Sequence, residues 1–470
     1  MNLMRRKPIE LDDLAEHQRL KPTLSWWHLV ALGVGAVVGT GIYTLVGVGA
    51  DLAGPGVVVS FLVAGAVCAC AALAYAEVAG AIPASGSAYT YSYVALGELF
   101  AWIVGWALIL EYSLVVSAVA VGWSGYASGF MASIGVELPT ALIASPHAGG
   151  LINLPALVIV GLVAGLLTAG TRESATLNAV LVVVKLAALV LFVAVALPHF
   201  DAARFDPLMP YGFARQDVDG VQRGVMAAAA IIFFAFYGFD AVSTAAEEAK
   251  RPSRDLPIGI VGSLAICTII YVGVAMAAIG ALPFTVFAKS PEPLSLVLRS
   301  VGSGWAAALV SAAAVVALPT VILAFLYGQS RIFFVMARDG LLPQALAKVS
   351  PQTGTPVRIT LLTAVVVGAL AAFVPLDEIA ALANAGTLVA FIAVAACLMV
   401  LRRTRPDLPR RFRTPAAWIV GPAAITGCAY LFSSLPTKTH IAFTVWLAVG
   451  LALYAVWSAR RAPRPQPEES

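Results

Sequence analysis

Residues 27–50 read WHLVALGVGAVVGTGIYTLVGVGA and contain no Asp, Glu, Lys or Arg. The stretch is long enough for a bilayer-spanning helix, which needs about 20 apolar residues. Yet Gly33, Gly35, Gly39 and Gly41 all fall between Gly33 and Tyr43, and each glycine gives up about 1 kcal/mol of helix propensity relative to alanine. Two readings stand side by side. Gly35-x-x-x-Gly39 is the small-residue pattern that lets membrane helices pack closely. Alternatively the helix breaks here, and the N–H groups opening its second half form an anion site suited to a carboxylate.

Comparable apolar runs recur along the chain. Bounded by charges, Gly and Pro, they lie near 27–50, 56–79, 98–130, 152–170, 175–197, 225–246, 257–281, 300–330, 357–374, 379–401, 416–433 and 440–459, which suits about twelve spans. Of the 470 residues, 60% are hydrophobic and 11% charged, too few charges to clothe a soluble surface of this size. The composition excludes a soluble enzyme, a nucleic-acid-binding module, a secreted disulfide scaffold and a disordered chain. The segment IPASGSAYTYSY (82–93), too polar for a span and too apolar for a free loop, reads as an interfacial or re-entrant connection.

With both termini on one side, the opposite side holds only Arg204, Arg215, Arg223, Lys289, Arg299 and Lys438 of the 29 Lys and Arg residues, and Lys185 lies within a span. The positive-inside rule therefore places both termini in the cytoplasm. The N-terminus opens with Arg5-Arg6-Lys7 and stays polar to Leu24, so the first span is expected to act as the targeting signal without a cleavable leader. Cys68, Cys70, Cys267, Cys397 and Cys428 sit in apolar runs without metal-type spacing and read as packing residues. The five histidines are scattered over termini and loops, so no metal site, cofactor or catalytic set is expected.

The sixth run contains Phe233-Phe-Ala-Phe-Tyr237-Gly238-Phe239-Asp240. It reads either as an aromatic packing stripe with a glycine kink or as a second broken helix. Asp240 favours the latter, because an acidic group deep in a span faces protein or water and usually has a function. Unwound near Gly238, the segment would offer carbonyls to an ammonium, with the aromatics walling the pocket. N–H groups at one break and C=O groups at the other are what a zwitterion requires. The two glycine-rich interruptions lie about 200 residues apart, as in transporters built from an odd-numbered inverted repeat.

Lys185 stands roughly 15 Å from either end of its span at helical rise, too deep for easy snorkelling. It reads as an ion pair with Glu111 or as a proton site replacing a metal cation. Glu111, mid-way along the long third run, would meet a cationic substrate side chain or pair with Lys185. Glu77 and Glu98 lie near helix ends and are expected to face the interface.

GVGAVVGTGIYTLVG (33–47), GPGVVVSFLVAGAVCACAALAYAEVAG (54–80), IPASGSAYTYSY (82–93), FFAFYGFDAVSTAAEEAKRPSRDLPIGI (233–260) and GQSRIFFVMARDGLLP (328–343) resemble the amino acid–polyamine–organocation superfamily, and within it bacterial members of the cationic amino acid transporter family. The resemblance runs from about Trp26 onward through several motifs in order. It implies an all-α polytopic fold with a five-plus-five inverted repeat, helices one and six broken, and two additional helices. Domain boundaries would be 1–24 for the N-terminal tail, 25–200 and 201–402 for the repeats, 403–460 for the added helices and 461–470 for the C-terminal tail. The resemblance also implies carboxylate binding at Val37, Gly39, Thr40 and Gly41, amino-group binding at Phe234, Ala235 and Tyr237, and proton coupling through Lys185. Glu111, Phe239 and Asp240 are the candidates for side-chain selectivity.

The expected protein is a secondary active amino acid transporter of the inner membrane, not an enzyme, with an amino acid, protons and the lipid bilayer as partners and no nucleic acid. A channel or a non-transporting amino acid receptor is the alternative. A channel would be expected to carry rings of like charge or a carbonyl filter, and no repeated filter segment is present in the sequence.

Overall fold

The computed structural model describes residues 6–7, 24–82, 86–169, 175–343 and 357–459. In chain order the helices are α1 (Trp26–Val37), α2 (Thr40–Tyr43), α3 (Leu45–Ala53), α4 (Val57–Ala81), α5 (Ser87–Ala95), α6 (Glu98–Ser133), α7 (Thr140–Ile143), α8 (Leu154–Thr168), α9 (Ala175–Ala196), α10 (Val225–Ile232), α11 (Ala241–Thr244), α12 (Pro252–Ala281), α13 (Phe284–Phe287), α14 (Pro293–Ser300), α15 (Gly304–Ala317), α16 (Pro319–Arg338), α17 (Val357–Phe373), α18 (Leu376–Thr404), α19 (Ala417–Ser433) and α20 (Thr437–Ala459). The strands β1 (Gln216–Val218) and β2 (Val221–Arg223) form a small antiparallel hairpin before α10.

Seven helical stretches among the described residues are long and apolar enough to cross a membrane, and five shorter apolar helices accompany them. The seven are Leu45–Ala81, Glu98–Ser133, Ala179–His199, Pro252–Ala281, Gly304–Arg338, Leu376–Thr404 and Thr437–Trp457. The shorter ones include the two that the sequence marks as interrupted. α1 has 12 residues, about 18 Å at helical rise, against a hydrocarbon core of about 30 Å. Branched and aromatic side chains such as Ile269, Val365 and Ile419 project outward from the helices, as expected where the surrounding solvent is lipid.

The centre of the molecule is the long α6, which packs along α16 and α18, while α4 packs along α12 and α12 along α1. The eighth run is not one straight helix. Pro319 has no N–H to offer the carbonyl of Val315, and the Trp123 indole takes that carbonyl at 2.9 Å. In the connection at 82–93, every residue of the described helix α5 is buried against the rest of the protein, which a free loop would not be. Pro83 to Ser85 lie outside the described residues.

Glu77 also departs from expectation. It is buried rather than facing the interface, because Arg402 of α18 grips both its oxygens at 2.9 and 2.6 Å. Glu98 remains partly exposed and accepts from Tyr93 and Tyr454. On the face bearing the chain's entry, Leu24 exchanges backbone hydrogen bonds with Glu248 and Lys250. There Lys7 also pairs with Asp339 at 2.9 Å, and Arg331 with Glu248 at 3.3 Å.

Candidate functional site

The first interruption lies where the glycines predict it. α1 ends at Val37, Gly39 is extended, and α2 starts at Thr40. Thr40 and Gly41 open a helix, so their N–H groups have no carbonyl one turn earlier to bind. The carbonyls that α1 leaves behind are taken by side chains from elsewhere. Lys185 Nζ donates to Gly35 at 3.0 Å, and the Tyr271 hydroxyl donates to Val37 at 2.7 Å.

The second interruption is longer than the sequence suggests. α10 ends at Ile232, a single tight turn covers Phe233–Ala235, and regular helix resumes only at Ala241. Asn384 on α18 caps the broken end by donating Nδ2 to the carbonyls of Ala230 at 2.7 Å and Ile231 at 3.0 Å. Gly238 sits at φ +116°, a conformation open to glycine and costly for other residues. Its N–H donates to Asp240 Oδ1 at 3.0 Å, while Oδ2 accepts from the Tyr112 hydroxyl at 3.3 Å.

The two breaks pack on each other. A Cβ placed on Gly41 would overlap the Cα of Ala235, and one placed on Gly238 would lie 2.8 Å from the carbonyl carbon of Ala36 and 3.0 Å from the nitrogen of Val37. Gly122 on α6 gives Thr40 its room in the same way, its Cβ position being 2.5 Å from Thr40 Cγ2. Gly41 and Gly238 thus lie at the breaks and also let the breaks touch, whereas a Cβ on Gly39 would meet Val321 only at an ordinary 3.6 Å.

Between them lies a cavity of about 10 Å³ lined by Ala36, Val37, Gly39, Thr40, Gly41, Val115, Val119, Phe234, Tyr237, Val321 and Phe325. That is room for about one water, so the site is closed down in this conformation. Val37, Gly39, Thr40, Gly41, Phe234 and Tyr237 all line it, and Ala235 stands behind Gly41. Sequence reasoning missed Val115, Val119, Val321 and Phe325, whose chemistry does not differ from that of any lipid-facing helix residue. It also missed Asn384, although an amide inside an apolar run is a readable signal.

The selectivity candidates lie elsewhere. Phe239 joins an aromatic cluster with Tyr75 and Phe391, at ring separations of 5.8 and 5.2 Å. Asp240 spends both oxygens on Gly238 and Tyr112. Neither these two nor Glu111 lines the cavity.

Lys185 is fully buried and joins three helices, donating to Gly35 of α1 and, at 3.0 Å, to Thr320 of α16. The ion pair between Lys185 and Glu111 is not formed. Glu111 is fully buried with neither carboxylate oxygen hydrogen-bonded. The nearby Thr387 hydroxyl donates to the Ala383 carbonyl at 3.2 Å instead.

The amino acid permease family model matches residues 24–457. A branched-chain amino acid permease of Bacillus subtilis is 47% identical over 94% of each chain. A methylthioribose transporter of the same organism is 41% identical over 98% of each chain. The vacuolar cationic amino acid transporter 4 of Arabidopsis thaliana is 37% identical over 86% of this chain and 68% of its own. These relatives are permeases and transporters. With this match across almost its whole length, the chain belongs to the amino acid permease family of the amino acid–polyamine–organocation superfamily, as a multi-pass membrane transporter of amino acids and not an enzyme.

Proposed function

We propose that the protein is a proton-coupled importer of neutral, branched aliphatic amino acids, working by alternating access about the paired helix breaks. The observation that carries this reading is the mutual packing of the two interruptions around one small cavity, since substrate sites of such transporters lie between discontinuous helices. In this reading the chain makes about twelve spans. Residues 25–200 and 201–402 are the inverted repeats, 403–460 adds two helices, and both termini are cytoplasmic in a cell whose inner membrane holds the protein.

The N–H groups of Thr40 and Gly41 would hold the substrate carboxylate beside Val37 and Gly39, and the carbonyls around Phe234, Ala235 and Tyr237 would hold its ammonium. Val115, Val119, Val321 and Phe325 leave an apolar wall for the side chain. That wall agrees with the branched-chain substrate named for the 47% identical relative and offers no charge partner to a cationic side chain. Glu111, Phe239 and Asp240 would act on selectivity only from behind this wall. Lys185 stands where a coupling cation would bridge the first break and the neighbouring helices. As an ammonium it can donate up to three hydrogen bonds, and losing one proton would loosen the tie to Gly35 and shift the balance between two conformations.

Uptake of labelled leucine into proteoliposomes tests the reading. An imposed inward proton gradient should drive accumulation, a sodium gradient should not, and leucine methyl ester and isoamylamine should fail to compete. Lys185→Ala should lose gradient-driven accumulation while still exchanging labelled for unlabelled leucine. Strong competition by the amine would overturn the zwitterion site, and undiminished gradient-driven accumulation by Lys185→Ala would overturn the coupling role.

A further inference from the structure

The last turn of α18 and the segment joining it to α19 carry Arg402, Arg403, Arg405, Arg410, Arg411 and Arg413. Its fold is set by one carboxylate. Glu77 accepts Arg402 through both oxygens, lies 3.2 Å from Arg410 Nε, and accepts the Thr414 N–H at 2.7 Å. Arg410 in turn donates to the carbonyls of Leu401 and Arg405 at 3.0 and 2.9 Å, and the Thr414 hydroxyl donates to Leu73 at 2.8 Å. The segment is therefore a fixed structure pinned to the end of α4.

That anchor uses two of the six arginines. Arg405 meets Asp407 at 3.4 Å. Arg403, Arg411 and Arg413 are exposed and, among the described residues, have no acidic partner. Against Asp407 and Glu77, six arginines leave an excess of four positive charges in one short segment, as large as the +4 of the whole chain.

The position of these guanidinium groups says what would neutralise them. Arg403 lies over the ring of Trp418 at 4.9 Å, and Trp418 and Ile419, at the start of the apolar α19, are 48% and 71% exposed. Tryptophan marks the boundary between headgroups and hydrocarbon. The cationic surface thus adjoins the place where an apolar helix enters the membrane. A ligand fitting both features has an anionic phosphate for the guanidinium forks and an acyl chain to lie along α19. We propose that Arg403, Arg411 and Arg413, held in place by the Glu77 anchor beside Trp418, form a docking surface for an anionic phospholipid headgroup.

The test uses the purified full-length protein in a neutral detergent, its thermal unfolding midpoint followed as lipid is added. Dioleoyl phosphatidylglycerol should raise the midpoint of the wild type, while dioleoyl phosphatidylcholine and glycerol 1-phosphate should leave it unmoved. The variant R403Q/R411Q/R413Q leaves Glu77, Arg402 and Arg410 intact. It should unfold at the wild-type midpoint without lipid and need at least about tenfold more phosphatidylglycerol for the same rise. The variant K289Q/K438Q, which removes lysines from elsewhere on the molecule, should respond as the wild type does. As a check independent of folding in the triple variant, phosphatidylglycerol brominated on its acyl chains should quench wild-type fluorescence more than Trp418→Phe fluorescence. An equal rise with phosphatidylcholine, an undiminished response of the triple variant, or equal quenching in Trp418→Phe would each overturn the proposal. A rise with glycerol 1-phosphate alone would reassign the surface to a soluble phosphate and overturn the lipid.

Discussion

Glu77 and Glu111 are both glutamates of apolar helices, and both are almost wholly removed from solvent, at 2% and 0% exposure. Their surroundings are opposite. Glu77 is met by two guanidinium groups and a backbone N–H, whereas Glu111 receives no hydrogen bond at either oxygen. Burial alone therefore does not say what a carboxylate does. The Glu77 cluster links α4, α18 and the segment before α19. Glu111 provides no such tie.

Stability measurements can break this contrast. Glu77→Ala strands Arg402 and Arg410 without their carboxylate, and removing one partner of a buried pair costs about 3–5 kcal/mol. The expected result is a large fall in the thermal midpoint of the purified protein, with reduced yield in the membrane. A midpoint equal to that of the wild type would show that the arginines find other partners and that Glu77 is no anchor.

Glu111→Gln keeps the shape of the side chain and removes a group that makes no hydrogen bond. Its unfolding free energy should stay within about 1 kcal/mol of the wild type, while leucine uptake in proteoliposomes falls. If this variant lost as much stability as Glu77→Ala, or transported at the wild-type rate, the distinction between the two glutamates would collapse.

The smallest effect belongs to Lys438 and Glu378, 3.7 Å apart with side chains 88% and 47% exposed. Water screens such a pair, and exposed pairs are worth about 0–1 kcal/mol. Lys438→Gln should leave the midpoint where it is, which fixes the lower end of the scale on which the two glutamates are compared.

The glycine spacing allowed a break near Gly39, because a glycine's effect on helix propensity is local, but it allowed close packing equally and did not fix the twelve-residue length of α1. The break at Gly238 was equally readable, but its extent was not. Asn384, from α18, takes the Ala230 and Ile231 carbonyls at the end of α10, and farther on Gly238 at φ +116° gives its N–H to Asp240. Lys185 stood out as a cation deep in a span. Its partners, Gly35 and Thr320, could not be told from many other carbonyls and hydroxyls along the chain. Glu77 follows the same rule: its position near a helix end is visible in the sequence, whereas its arginine is 325 residues away.

By itself the sequence determined that the chain is a multi-pass membrane protein, and it marked residues 33–43 and 233–240 as the places where two of its helices could break. These follow from sums over neighbouring residues of transfer free energy, helix propensity and charge. Tertiary structure alone decided which buried polar groups are satisfied, which apolar residues wall the cavity and which arginines are left free for the surface. Those outcomes depend on which helices lie side by side, and two chemically identical carboxylates were separated only by the donors that packing brought to one and kept from the other.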